Sequence, residues 1–395
     1  MTGTVLITLG RLPKALDLAR GFKALGYRVI VAEPFRWHLT GVSNVVSKRH
    51  TVTAPAVNRE QYLRELLAIV VNEGVDWVVP VSEEIMHVSF LRALLPPKVK
   101  LYAMPSTTLL ALHNKLSFID RCSEYGVSAP ETFSANDTRA DSLAAKGDYI
   151  VKPVFSCSGR GIFFKRCGDA MPRGANYAST EQMIVQTWVK GNVLSTFTVA
   201  HEGAALTTVV YRGAVMSGTV AVCFERVTNV EAAHQAVIDW VNQFVRGARF
   251  SGFISFDVVV DPAGKVHGIE CNPRATSGLH FVNPRDLAVA VVNPDANATI
   301  RFRDQTLLQQ FYPCLTELQK SMFGGGMFRT NLRQFLRARD VTWDLRDPLP
   351  FLTMPFTASQ IIWKSIRAGV TMGEVATLDV GWYSAPQHSH EKSFD

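Results

Sequence analysis

The stretch "GFISFDVVVDPAGKVHGIECNPRATSG", residues 252–278, decides how the chain is read. In an extended strand, positions i and i+2 face the same way, so Glu270 and Asn272 project from one face. The "DPAGK" between the two apolar runs is turn chemistry, with Pro262 fixing φ and Gly264 tolerating a positive φ. The segment therefore predicts an antiparallel hairpin in which Asp257 falls opposite Glu270 and three oxygen-bearing side chains converge. Carboxylates at the end of apolar strands are costly unless they are paired or hold a cation.

Working outward, a chain of 395 residues, 47% hydrophobic and 19% charged, is long enough for two or three packed domains. The opening "MTGTVLITLG" has no basic stretch ahead of its apolar run, and no segment approaches the roughly 18 apolar residues that cross a bilayer. Neither export nor a membrane partner is expected. Six cysteines without CxxC spacing argue against a zinc knot or a redox pair and favour a reducing, cytoplasmic setting. A net charge of +7 suits acidic small molecules, and the lack of a clustered Lys/Arg run argues against nucleic acid.

The first hundred residues alternate "TVLITLG", "KALDLARGFKALG", "YRVIVAE", "NREQYLRELLAIVVNEG" and "VDWVVPV" as strand, helix, strand, helix, strand. That order predicts a Rossmann-like parallel sheet with right-handed crossovers. Glu33 stands about where a dinucleotide's ribose acid would, yet "LGRLPKAL" has one glycine where the fingerprint needs three, so an NAD-dependent oxidoreductase is the weaker reading. A boundary is expected near residue 105. Beyond it, "PSTTLLALHNKLSFIDRCSEYGVSAPETF" reads as Ser/Thr-capped helix, and the short β runs around "GDYIVKPVFSCSGRGIFFKR" predict a small α+β unit. Past residue 300, "DQTLLQQFYPCLTELQKSMF" and "NLRQFLRARD" have helical period, "FGGGMF" reads as a loop, and "DPLPFLTMPF" is broken by proline. The tail "SAPQHSHEKSFD" reads as frayed, its His388 and His390 as solvated rather than metal-binding.

Three features follow in order: Lys115 in "HNKLSF", Lys152 in "YIVKP" ahead of the Ser/Gly loop "SCSGRG", and the hairpin ending "GIECNPRATSG". Lysines neutralise phosphates, glycine-loop amides cradle them, and hard oxygen ligands hold magnesium. On these residues the chain resembles the ATP-grasp superfamily, in particular its carboxylate-amine ligases and the large subunit of carbamoyl phosphate synthetase, over about residues 3 to 282. The resemblance implies an α/β and α+β architecture. A Rossmann-like domain at 1–105 would precede an ATP-grasp domain at 106–300, with a lid at about 125–190 and the metal hairpin at 252–274. A mostly helical extension at 301–395 would cap the site or build a homodimer face.

The same resemblance implies roles. Lys115 and Lys152 would contact ATP phosphates, and the loop would close over them through the amides of Ser158, Gly159, Arg160 and Gly161. Gln186, Thr187, Trp188 and Val189 would bind adenine through main-chain groups. Asp257, Glu270 and Asn272 would hold Mg²⁺ or Mn²⁺. Arg274, catalytic with Lys152, would face the γ-phosphate and the acyl phosphate made from it, because a guanidinium fork matches a phosphate edge. Ser277 and Gly278 in "RATSGLHF" would line the acyl site. Two departures stand out: Thr187 occupies a position where relatives usually have Glu, and "GNVLSTF" carries no acid for the ribose.

Blander readings sit beside these. Lysines are common at helix starts, "SCSGRG" lacks a P-loop and would pass as a hairpin turn, and Asp257 or Glu270 could form a structural salt bridge to Arg274. Glu83, Glu84 and His87 follow the third strand at the edge where α/β ligands bind, as substrate contacts or as an acidic pair favoured by a helix N-terminus. Cys157 and Cys271, without a histidine motif, read as small apolar residues. The expected activity is ATP-dependent joining of a small carboxylic acid, an amino acid or another small polar acid, to an amine, itself expected to be an amino acid, with release of ADP and phosphate. The competing reading is an ATP-binding module without turnover.

Overall fold

The early alternation of strands and helices builds a sheet of five parallel strands in the order β3-β2-β1-β4-β5, formed by β1 (Thr4–Ile7), β2 (Arg28–Glu33), β3 (Lys48–Thr51), β4 (Trp77–Val79) and β5 (Lys100–Leu101). Its crossovers include α1 (Pro13–Ala24), with proline at the helix start where no N–H partner is needed, and α2 (Arg59–Glu73). Asn58 caps α2 by accepting the Gln61 N–H, and Gly74 closes it in the left-handed conformation. A one-turn helix, α3 (Ile85–Val88), follows β4. The computed structural model describes residues 3–156, 159–169, 182–296, 299–322, 326–369 and 372–382. Cys157, Ser158, His388 and His390 lie outside them, as does part of "FGGGMF".

Helices α4 (Ser106–His113) and α5 (Lys115–Glu124) lead into a small four-stranded sheet, β6-β9-β7-β8, of β6 (Thr132–Ser134), β7 (Tyr149–Pro153), β8 (Phe163–Lys165) and β9 (Met183–Thr187), with α6 (Thr138–Lys146) packed on it. A larger sheet then forms from β10 (Asn192–His201), β11 (Ala204–Ser217) and β12 (Val220–Arg226), followed by α7 (Ala232–Gly247), β13 (Gly252–Val260) and β14 (Val266–Asn272). The hairpin is antiparallel and in the expected register, Asp257 opposite Glu270, with a bulge immediately after Asp257. On one face of this sheet Phe256, Phe118, Trp240 and Phe244 form an aromatic core under α5 and α7. On the other, Phe197, Val199 and Phe253 share a core with Val5, Ile7, Leu18 and Phe22 of the first domain, so the two sheets are held in fixed relation. Helix α8 (Pro284–Val292) meets α1 at Gly21, where any Cβ would lie 2.1 Å from the Pro284 carbonyl oxygen.

The C-terminal region is less purely helical than its periodicity suggests. Within the segment read as one helix, Leu307–Gln309 is a strand, β15, because its backbone completes β12 as Cys223 pairs with Gln309. The helix proper, α9 (Phe311–Met322), starts after it, and α10 (Phe328–Arg337) leads into β16 (Arg339–Asp340), which gives the large sheet the order β14-β13-β10-β11-β12-β15-β16. The proline-broken segment folds as two single turns, α11 (Leu349–Leu352) and α12 (Met354–Thr357), before α13 (Ser359–Ala368) and α14 (Met372–Leu378). No helix among the described residues is long and apolar enough to cross a membrane.

Candidate functional site

Where the first domain, the small sheet and the large sheet meet, they enclose a cavity of about 1040 Å³. Its walls include Lys152 from β7, Gly159 from the Ser/Gly loop, Asp257 from β13, Glu270 and Asn272 from β14, and Arg274 and Ser277 just beyond. Residues scattered from 152 to 277 thus converge on one space, which strand pairing and the packing of the units against one another bring about.

The oxygen cluster comes from the hairpin. Asp257 accepts a hydrogen bond from Ser195 Oγ at 2.5 Å and faces Glu270 across the strands. Burial first, and then the charge of Glu270, pushes the Asp257 carboxyl up to about 6. Two carboxylates beside an amide oxygen make a hard-oxygen donor set suited to a divalent cation. The third donor is an amide: among the described residues, no three His, Cys, Asp or Glu side chains group as metal ligands. Arg274 donates to Asn272 Oδ1 at 2.8 Å and pairs with Glu83 at 2.5 Å.

The lysines differ. Lys152, buried, donates to Gln186 Oε1 at 2.9 Å and to the Ile269 carbonyl at 3.0 Å. Burial pulls its pKa down to about 8, although Glu270 works the other way. Lys115 sits behind the cavity wall, held by the Ser156 carbonyl and hydroxyl at 3.1 Å each and by Glu270 at 3.3 Å. In this structure it tethers the start of the loop to Glu270 and does not line the cavity. Gly159 and Gly161 have positive φ, and a side chain at Gly159 would strike Thr219 at 2.4 Å, so the loop crosses to the turn between β11 and β12 only because it carries no Cβ there.

Other expected site residues make contacts within the fold. Gln186 is spent on Lys152 and Thr132, and the N–H groups of Thr187 and Trp188 donate to the carbonyls of Glu131 and Asp148. None of Gln186–Val189 lines the cavity; in this part of the chain the lining resumes at Gly191. Gly278 is a packing glycine: a Cβ there would meet Phe197 at 2.6 Å. The two acids read as substrate contacts are fully buried. Glu84 accepts from the Val81 and Ser82 N–H groups and the Thr8 hydroxyl, fixing the turn after β4. Glu83 faces Arg274. Burial is the largest influence and opposes its ionisation, but Arg274 and the other charged neighbours, Lys14 among them, together hold its pKa below the usual range. His113 lies 3.7 Å from Glu83 and is pushed down to about 4 by burial, so at neutral pH it adds no second positive charge. His87 is buried against the Gly381 carbonyl and Trp382. Glu33 is engaged within the fold: its carboxylate accepts from the N–H groups of Gly10, Arg11 and Phe35 and from the Arg11 guanidinium.

The sequence pattern also missed residues on the cavity wall. Lys14 donates to Ser82 Oγ and the Ala275 carbonyl, joining α1 to the loop after Arg274. Arg212, between Glu225 at 2.9 Å and Glu231 at 2.7 Å, lies on the wall with Glu231. His280 lines the cavity with Nδ1 against Asp17 at 2.7 Å, and Asp17 also takes Arg303 at 2.6 Å. A lone Asp on an amphipathic helix carries no signal of such a partner.

Residues 112–278 match the ATP-grasp domain family. The fold is similar to N5-carboxyaminoimidazole synthetase from Staphylococcus aureus complexed with ADP (TM-score 0.65, 13% identity, covering 82% of this chain and 86% of that one). It is similar also to an L-amino acid ligase from Bacillus licheniformis (TM-score 0.59, 15% identity, 74% of each chain) and to a biotin carboxylase from Campylobacter jejuni in complex with a form of ATP (TM-score 0.61, 13% identity, 75% and 73%). No curated protein matches the chain by sequence. Residues 112–278 thus carry an ATP-grasp domain, and the fold of the chain is similar to those of these three proteins.

Proposed function

We propose that this ATP-grasp protein is an ATP-dependent ligase that activates a small carboxylic acid as an acyl phosphate and joins it to an amine, an amino acid being the leading candidate. The observation that carries the reading is the convergence of Lys152, Asp257, Glu270, Asn272 and Arg274 on one cavity. Phosphoryl transfer of this kind needs positioning and charge stabilisation rather than a protein nucleophile. The substrate carboxylate attacks the γ-phosphorus and ADP leaves; the amine then attacks the acyl carbon, loses a proton, and expels phosphate. Lys152 neutralises phosphate charge, and Arg274, aimed by Glu83 and Asn272, holds the transferred group. Mg²⁺ bound by Asp257, Glu270 and Asn272 would supply further neutralisation of phosphate charge. The Gly159–Gly161 loop excludes water, which would otherwise hydrolyse the acyl phosphate. The linker's missing ribose acid has a candidate replacement in Glu231 on the cavity wall.

The test is product analysis with ATP, Mg²⁺ and pooled acids and amines, with Glu270→Ala as control. ADP and phosphate released only with one pool support the ligase. AMP and pyrophosphate would overturn the acyl-phosphate route, and ATP binding without any turnover would favour a nucleotide-binding module.

A further inference from the structure

At about 1040 Å³ the cavity lies at the top of the range of about 300–1,000 Å³ typical of small-ligand sites, and its lining extends well past the charged cluster. Past Arg274 and Lys14 its character changes. One wall is Leu12 and Leu39 of the first domain, and facing them are Met354, Ile361, Met372 and Ala376 from α12, α13 and α14. Four of these pack into one cluster with Phe35 and Val375, so the C-terminal helices are seated on the first domain.

The seat is built rather than incidental. Asp379, just past α14, takes the Arg11 guanidinium at 2.7 Å, its carbonyl accepts from the Ala56 N–H, and Trp382 stacks on Phe90 with ring planes 10° apart. Arg11 is buried between Glu33 and Asp379, so its charge is consumed in anchoring this wall. An apolar compartment continuous with a phosphoryl-transfer site is suited to an apolar body whose polar head reaches Lys14, Ser82 and Arg274.

Resting on the ligase reading, we propose that one of the two substrates carries a branched aliphatic or aromatic group, held between Leu12/Leu39 and the C-terminal helices. The shared chemistry is an apolar side chain on a small carboxylate or amine, and the C-terminal region is the specificity-determining element.

The test is calorimetric titration of the full chain, with MgADP present, by three ladders of growing apolar size. These are glycine, alanine, leucine and phenylalanine; acetate, isovalerate and phenylpropionate; and methylamine, isobutylamine and phenethylamine. Serine and glutamate serve as polar controls. Affinity is expected to rise roughly fourfold per added CH₂ in at least one ladder, and the acid and amine ladders tell which substrate occupies the compartment. Ala376→Trp, which fills the compartment, is expected to cut leucine and phenylalanine binding tenfold or more, with Ala376→Val giving a smaller loss. MgADP affinity reports that both variants are folded. Flat ladders, tighter binding of serine or glutamate, or a ladder unchanged in Ala376→Trp would overturn the proposal. An intact ladder without ADP release from any acid and amine pair would support the compartment while refuting the ligase reading.

Discussion

Replacing Lys152 by methionine separates two consequences of one buried charge. The ammonium is 3% exposed, and burial, with a smaller contribution from Lys115, lowers its pKa from 10.5 to about 8. Between those values the unfolded chain still holds the proton that the folded chain has released, so stability rises with pH through that window. The lysine's contribution is fully present above 10.5 and is lost as the pH falls through about 8. At about 1.4 kcal/mol for each pH unit, the buried charge costs about 3 kcal/mol at neutral pH, and about 2 kcal/mol of that is recovered between about pH 7 and about pH 9.5. Methionine keeps the length of the side chain and removes the charge. The hydrogen bonds to Gln186 and Ile269 are lost at both pH values and cancel in the comparison. Urea unfolding of both proteins at the two pH values should show the wild type gaining about 2 kcal/mol on the variant at the higher pH. Calorimetry should show ATP binding weakened about 10- to 100-fold in the variant, as for a charged hydrogen bond worth about 1.5–3 kcal/mol. Parallel pH profiles would refute the buried-charge reasoning, and unchanged ATP affinity would remove Lys152 from the phosphate site.

Other expectations follow from the same geometry. Glu270→Ala should lower Mg²⁺-dependent turnover by about 10³ while the protein stays folded, and wild-type rates in that variant would sink the metal assignment. Because the Asp257 carboxyl is pushed up to about 6 by burial and by Glu270, protons compete with Mg²⁺ below that pH. Mg²⁺ half-saturation, followed by calorimetry, should weaken by up to about tenfold per pH unit there. Glu33→Gln leaves buried Arg11 with only Asp379 and should cost about 3–5 kcal/mol in urea unfolding; a loss under about 1 kcal/mol would contradict the ion-pair account. Gly21→Ala sets a Cβ 2.1 Å from the Pro284 carbonyl and should destabilise by about 1–3 kcal/mol, read as a lower thermal midpoint.

The hairpin was legible because its information is local. Alternation, the "DPAGK" turn and a two-residue period fix which side chains share a face, and the Asp257–Glu270 register follows from them. The parallel sheet was legible for the same reason, as was Lys152 at the end of an apolar strand. Leu307–Gln309 was misread as helix because its strand character comes from β12, a distant segment that offers backbone hydrogen bonds to fill. Glu83 and Glu84 looked like ligand-facing acids because their position after β4 is local, whereas their partners are Arg274 for one and backbone N–H groups in the folded turn for the other.

Local pattern thus determines most of the strands and helices, and the residue types of a phosphate and cation site, in this chain. Which charges face each other is decided only in three dimensions. Arg11 meets Asp379, Asp17 meets His280, and Glu83 meets Arg274 across separations that no periodicity records. The physical reason is that a buried charge must be matched by whatever the packed core brings beside it, and packing, not sequence neighbourhood, makes that choice.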